Sequence, residues 1–135
     1  MANDVYTKGA NRILKALINF ESDTLKVALV SSGYTVSLGV HEFLSDLGAN
    51  TIGANQTLAN KVVANGTFDA DDPVWSAIAA GSTAKALVIY KDTGVAGTSP
   101  LLFYIDEVTG FPLSTNGGDI APQFDNGPLK IYSLV

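Results

Sequence analysis

The chain has 135 residues, 47% of them apolar and 16% charged, with a formal net charge of −5. That length and composition describe one folded domain, residues 1–135, able to bury about two-thirds of its unfolded surface. The acidic balance excludes broad nucleic-acid binding, which needs Lys and Arg to displace phosphate counterions, and no apolar run approaches the ~20 residues that cross a bilayer.

Residues 5–20 carry the one long helical pattern, and the predicted helical region is 1–22. Tyr6, Ala10, Ile13, Leu14, Leu17 and Ile18 recur at steps of three and four, which makes one apolar face. Asn3 or Asp4 is placed to cap its start. Lys8, Arg12 and Lys15 follow a second stripe. Through residue 30, four basic and three acidic residues give a net +1; the remainder, with four and ten, gives −6. The predicted helix therefore carries the basic face of an acidic chain, either solvated or suited to an acidic partner. The same three charges interrupt the apolar residues, so no secretory signal is expected and the chain is expected to be made and assembled in the cytoplasm.

Residues 23–32 read as a strand, with Leu25, Val27 and Leu29 on one face and Ala28 and Val30 on the other. Residues 33–55 are the least regular part. Within them 41–47 suits a short helical turn, with Phe43, Leu44 and Leu47 inward and Gly48 as its stop. From residue 56 onward the pattern is β. Expected strands are 56–64, 66–70, 85–91, 101–106, 119–124 and 129–134, with Asn126-Gly127 as a turn between the last two. Residues 90–106 form the clearest hairpin, its loop a flexible Gly/Ser/Thr/Pro stretch. The spacing of elements favours an antiparallel sandwich, jelly-roll-like, or an open barrel. The fold class expected is α+β, with the N-terminal helix packed on that β-sandwich and residues 23–135 mostly β.

Chemistry-bearing constellations are sparse. With no cysteine, the chain has neither disulfides nor thiolate metal sites. Asp69, Asp71 and Asp72 crowd three carboxylates into four residues, but the EF-hand glycine and glutamate are missing, so a surface turn before Pro73 is expected instead of a Ca²⁺ site. His41 beside Glu42 invites a general-base reading, yet adjacent side chains point apart, and Ser31, Ser32 and Ser45 lack a nucleophile elbow. Asp106 and Glu107 alternate to opposite faces of a strand. The 94–100 loop lacks the Gly-Lys-Ser/Thr of a phosphate loop. Tyr90, Phe103, Tyr104 and Tyr132 are expected to pack in the core rather than form a stacking platform. No catalytic residue, cofactor or metal is assigned.

Several pieces in order carry a resemblance: Ile18-Asn19-Phe20, the segment 23–31, His41 to Asp46, and Phe68 to Asp72 with Trp75. Tyr90 to Gly94 and Thr98 to Leu101, leading to Tyr104-Ile105-Asp106, follow, and a closing β-hairpin completes the series. In this order the chain resembles a family of small structural proteins from the virions of tailed bacteriophages and prophages. It departs from that pattern at Asp72-Pro73-Val74, where a proline interrupts a segment otherwise expected to run on. The resemblance implies a non-enzymatic role, first as a multicopy capsid decoration (cement) protein that bridges capsomers. A tail or baseplate component and a receptor- or glycan-binding module on the particle are the alternatives. Expected partners are copies of itself, as a trimer or hexamer, and the major capsid protein; no nucleic acid or membrane is expected, and the location is the virion. The partner-facing residues expected are Lys8, Arg12, Lys15, Tyr34, Val36, Val95 and Thr98, on the helix and on the loops 33–55 and 92–100.

Overall fold

The computed structural model describes residues 3–106, 108–124 and 131–133. The chain is α+β: antiparallel sheet with, among the described residues, one α-helix. In chain order the elements are β1 (Asn3–Val5), α1 (Thr7–Leu14), β2 (Leu25–Ser31), a 3₁₀ turn (Leu44–Leu47), β3 (Thr51–Thr57) and β4 (Val62–Ala64). Then come β5 (Thr67–Asp69), β6 (Thr83–Lys91), a 3₁₀ turn (Ala96–Thr98), β7 (Leu101–Ile105), β8 (Leu113–Ser114) and β9 (Tyr132–Ser133).

The larger sheet runs β1-β7-β6-β2-β3, with β8 continuing beside β6 at Thr83 and Ala84. The smaller runs β4-β5-β9. Strands β2 and β6 are buried along nearly their whole length because both faces of the larger sheet are covered. One face presents Leu25, Val27, Leu29, Leu87 and Ile89, and packs with Phe68, Trp75, Phe124 and Ile131. The other presents Ala28, Val30, Ala86 and Val88, whose small side chains leave room for the rings of Tyr6, Tyr34, Tyr90 and Tyr104. Each large aliphatic or aromatic side chain buried this way contributes about 1.5–3 kcal/mol.

The irregularities have identifiable causes. Val27 pairs with Gln56 but Leu29 with Ile52, so β3 bulges across Gly53 and Ala54. Gly53 sits at φ +67, where a side chain would press on Trp75 and Ile78. The freed Ala54 carbonyl accepts the Trp75 indole N–H at 2.7 Å. Trp75 also exchanges both backbone bonds with Ile120, at 2.8 Å each, which pins the 70–80 segment over the core.

Several sequence expectations hold: β2 and its two faces, the hairpin of β6 and β7, the 3₁₀ turn ended by Gly48 at φ +59, and burial of Tyr90, Phe103 and Tyr104. Others need correction. The helix spans Thr7–Leu14, not 5–20, and β1 precedes it. It ends in a Schellman cap: Ala16 N–H bonds the Ile13 carbonyl and Leu17 N–H bonds that of Arg12, with Ala16 left-handed at φ +60. Leu14 and Leu17 are consequently 85% and 54% exposed instead of completing an apolar face. Asp4 lies in β1 and accepts the Val5 amide; Tyr6 is the N-cap and makes no side-chain cap. The helix covers the β7 edge beyond the end of β1, where Tyr6 N–H bonds the Leu102 carbonyl.

The expected strand 56–64 is broken. Leu58 turns inward, its amide bonding the Leu25 carbonyl, and Asn60 takes a left-handed φ of +52 before β4 begins. Residues 33–55, expected to be irregular, contain most of β3. Residues 119–124 form one bridge, Ile120 to Trp75, because the Phe124 amide turns to the Asp72 carboxylate instead. The Asn126-Gly127 turn, Glu107 and residues 129, 130 and 134 lie outside the described residues, and of the expected strand 129–134 the described part contains β9.

Candidate functional site

Three segments meet at one end of the larger sheet: α1, the 34–47 segment and the 92–100 loop. Their junction is made by backbone. Thr7 N–H bonds the Leu38 carbonyl at 2.9 Å, Leu44 N–H that of Ser99 at 2.8 Å, and Leu101 N–H that of Glu42 at 2.9 Å, while Phe43 bridges to Pro100. The junction therefore holds side chains from all three segments in fixed relation.

Beneath the surface lies a chain of hydrogen bonds. The Tyr6 and Tyr34 hydroxyls are 2.9 Å apart, and the Tyr34 hydroxyl is 2.6 Å from His41 Nδ1. Lys85 Nζ donates to the Tyr34 carbonyl at 2.7 Å. Burial, before any hydrogen bond, pushes the Tyr6 hydroxyl well above its ordinary pKa and raises that of Tyr34; burial also pushes Tyr104 up to about 12. These hydroxyls stay neutral and serve as donors and acceptors that locate the 34–47 segment.

At the surface, Glu42 organises the charges. Arg12 Nη2 donates to its carboxylate at 2.8 Å and Lys8 Nζ stands 3.6 Å away. The Arg12 hydrogen bond is the main cause holding the Glu42 carboxyl below the usual range. The Arg12 guanidinium also lies 5.2 Å from the Phe43 ring centre. The Asp46 carboxylate accepts the amides of Glu42 at 2.7 Å and Phe43 at 3.0 Å, and those bonds hold its pKa down.

The 92–100 loop, expected to be flexible, is tied by its own hydroxyls. The Thr93 amide donates to Ser99 Oγ, Thr93 and Thr98 hydroxyls meet at 2.6 Å, and Ser99 Oγ donates to the Val95 carbonyl. Its tip projects Val95, 60% exposed, and the neighbouring segment projects Val40, 69% exposed.

Of the residues expected to face a partner, the structure brings Lys8, Arg12, Val95 and Thr98 onto these three joined segments. Lys8 and Arg12 share the one carboxylate of Glu42, so the basic stripe is partly offset within the chain, and Lys15 stands beyond the end of the helix. Tyr34 is 2% exposed and offers no surface, because its ring fills the space over Ala28 and Ala86. Val36 is half-buried against the same cluster. Sequence reasoning missed Val40, Glu42 and Phe43 as surface members. An acid followed by an aromatic, in reach of two helical cations, was the available signal.

Other constellations disperse. His41 Nδ1 meets Tyr34 rather than a serine, and Glu42 turns to Arg12 rather than to His41. Asp71 accepts from Asn60 and Asp72 from the Phe124 amide. Among the described residues no group of three acids or histidines is placed to hold a metal ion, and no helix is long and apolar enough to cross a membrane. No protein-family model, curated protein or solved structure matches the chain.

Proposed function

We propose that this chain is a non-enzymatic structural protein of a tailed-phage virion, a multicopy capsid decoration protein that binds the outer shell and bridges capsomers. The observation that carries the reading is the three-segment surface. It presents Val40 and Val95 to solvent on loops tied in place by internal hydrogen bonds, an arrangement suited to docking and not to turnover. The sequence resemblance points to the same role class. In finer terms the fold is a β-sandwich, with the smaller sheet and its flanking segments laid over one face of the larger.

Packaged DNA strains a shell, and a protein seated across neighbouring capsomers adds interface that must be broken before they separate. Each contact is small, at the low end of specific interfaces, and many copies make it effective. Trimeric or hexameric association matches the symmetry axes a capsid offers. The test is co-sedimentation of the purified chain with preformed empty shells. Saturable binding and a raised rupture temperature of the shells are expected. A chain that stays in the supernatant contradicts the proposal, and binding to purified tails instead replaces the head by the tail or baseplate.

A further inference from the structure

We infer that the chain self-associates head to tail, with the projection Leu14-Lys15-Leu17 of one copy seated in a groove on the outer face of the β4–β5 hairpin of the next. The contact would supply the self-association of the multicopy assembly proposed above and rests on that reading for its place in the virion; it is testable on the purified chain alone.

The projection is defined by the cap of α1. Because Ala16 turns left-handed, the chain leaves the helix and displays Leu14 and Leu17, 85% and 54% exposed, on either side of Lys15. Lys15 also stands apart in its charge. Lys8 and Arg12 pair with Glu42, Lys26 with Asp92 and Lys91 with Asp23, while Lys61 and Lys85 donate to backbone carbonyls. Lys15 is the one basic side chain among the described residues without an acceptor in its own chain. Two exposed leucines and an unpaired cation thus share one projection.

The complementary surface is a groove of about 420 Å³ lined by Asn60, Val62, Ala64, Thr67, Asp69 and Asp71, among others. Val63 pairs with the core residue Phe68, so alternation sends Val62 and Ala64 to the outer face of the hairpin. Val62 is 50% exposed there. Apolar floor and carboxylate rim match two leucines and a lysine in both hydrophobicity and sign. A chain of net charge −5 that meets its own copies needs such local complementarity, since its overall charge repels them. The two patches differ, so the contact is heterologous and every copy has one of each. Such contacts close into rings or run on as filaments.

The experiment is sedimentation analysis of the full chain and two variants. One carries Leu14→Asp with Leu17→Asp, the other Val62→Lys with Asp69→Lys; thermal unfolding identifies any variant that fails to fold. Wild type is expected to form a closed oligomer, and each variant a monomer. Mixed, the variants pair through the intact groove of the first and the intact projection of the second, giving a one-to-one dimer that grows no further. Lys15→Glu, on an exposed side chain, keeps the fold and weakens association several-fold at low salt, a readout independent of the paired variants. A wild type that is monomeric up to millimolar concentration overturns the inference. So does a folded variant with the wild-type oligomer, a mixture that stays monomeric, or a Lys15→Glu chain that associates as wild type does. A wild-type ring that ignores capsid shells overturns the decoration reading and leaves this contact standing.

Discussion

Gly9 lies flat against the Leu101 carbonyl: a Cβ built on it would sit 2.3 Å from that oxygen and 3.1 Å from the Leu102 Cα. This contact lets α1 cover the β7 edge where β1 stops pairing, and edges left open invite other chains. In an exposed helix Gly→Ala gains about 1 kcal/mol. Here the added methyl meets backbone, which cannot swing aside. Gly9→Ala is therefore expected to destabilise by about 2 kcal/mol, in the range for overpacking. Urea unfolding decides the sign, and a stabilised variant contradicts the contact.

Ala16 makes the reverse prediction at the other end of the helix. Its left-handed φ of +60 carries a strain of about 1–2 kcal/mol for a residue with a Cβ. Ala16→Gly removes that strain and partly offsets the gain through the entropy of the unfolded chain, leaving a stabilisation of about 0.5–1 kcal/mol. The same urea series measures it; a loss of stability would mean that the Schellman cap is not formed.

Trp75 joins the β3 bulge to the 70–80 segment through its indole N–H. Trp75→Phe keeps an aromatic ring but leaves the Ala54 carbonyl without its donor, a loss of about 1–3 kcal/mol. Chemical-denaturant midpoints of the two chains give the difference. Equal midpoints would show that the bulge does not depend on this bond.

Acid sensitivity is expected in the 42–46 segment. The two backbone amides hold the Asp46 carboxyl below its ordinary pKa, so its folded value is depressed. The stability this contributes is present above the ordinary carboxylate range of about 3.9 and is lost as pH falls through the lower folded value. Asp46→Asn lowers stability at neutral pH and flattens the acid limb of the stability curve. Thermal unfolding between neutrality and strong acid tests both, and parallel curves for the two chains contradict the assignment.

Val40 and Val95 are predicted to matter for docking and not for folding. Val40→Asp with Val95→Asp is expected to change stability by less than about 1 kcal/mol, as exposed substitutions do, while abolishing co-sedimentation with shells. Retained binding by the double variant moves the docking face elsewhere on the chain.

How far these features were legible depends on the range of the interactions that set them. The alternation Leu25, Val27, Leu29 against Ala28, Val30 is local, and it read correctly because burial on both faces reinforces it. The helix length did not, because Leu14, Leu17 and Ile18 continue a helical spacing that only the Ala16 cap interrupts, and alanine carries no stop signal. Residues 51–57 hid a strand because Gly53 and Ala54, the bulge that Trp75 needs, broke its alternation. The basic stripe was legible as residues but not as pairing, since Glu42, which binds Arg12 and faces Lys8, lies thirty positions from Arg12 in sequence. The burial of Tyr34 was equally hidden, as its contacts with Tyr6 and Tyr104 are long-range.

The central claim is location on the head, and immunogold electron microscopy of intact particles, with antibody raised against this chain, tests it most directly. A capsid decoration protein gives dense, even labelling over the head. Labelling confined to the tail contradicts that placement and transfers the protein to the tail or baseplate, and particles without label contradict a surface role altogether.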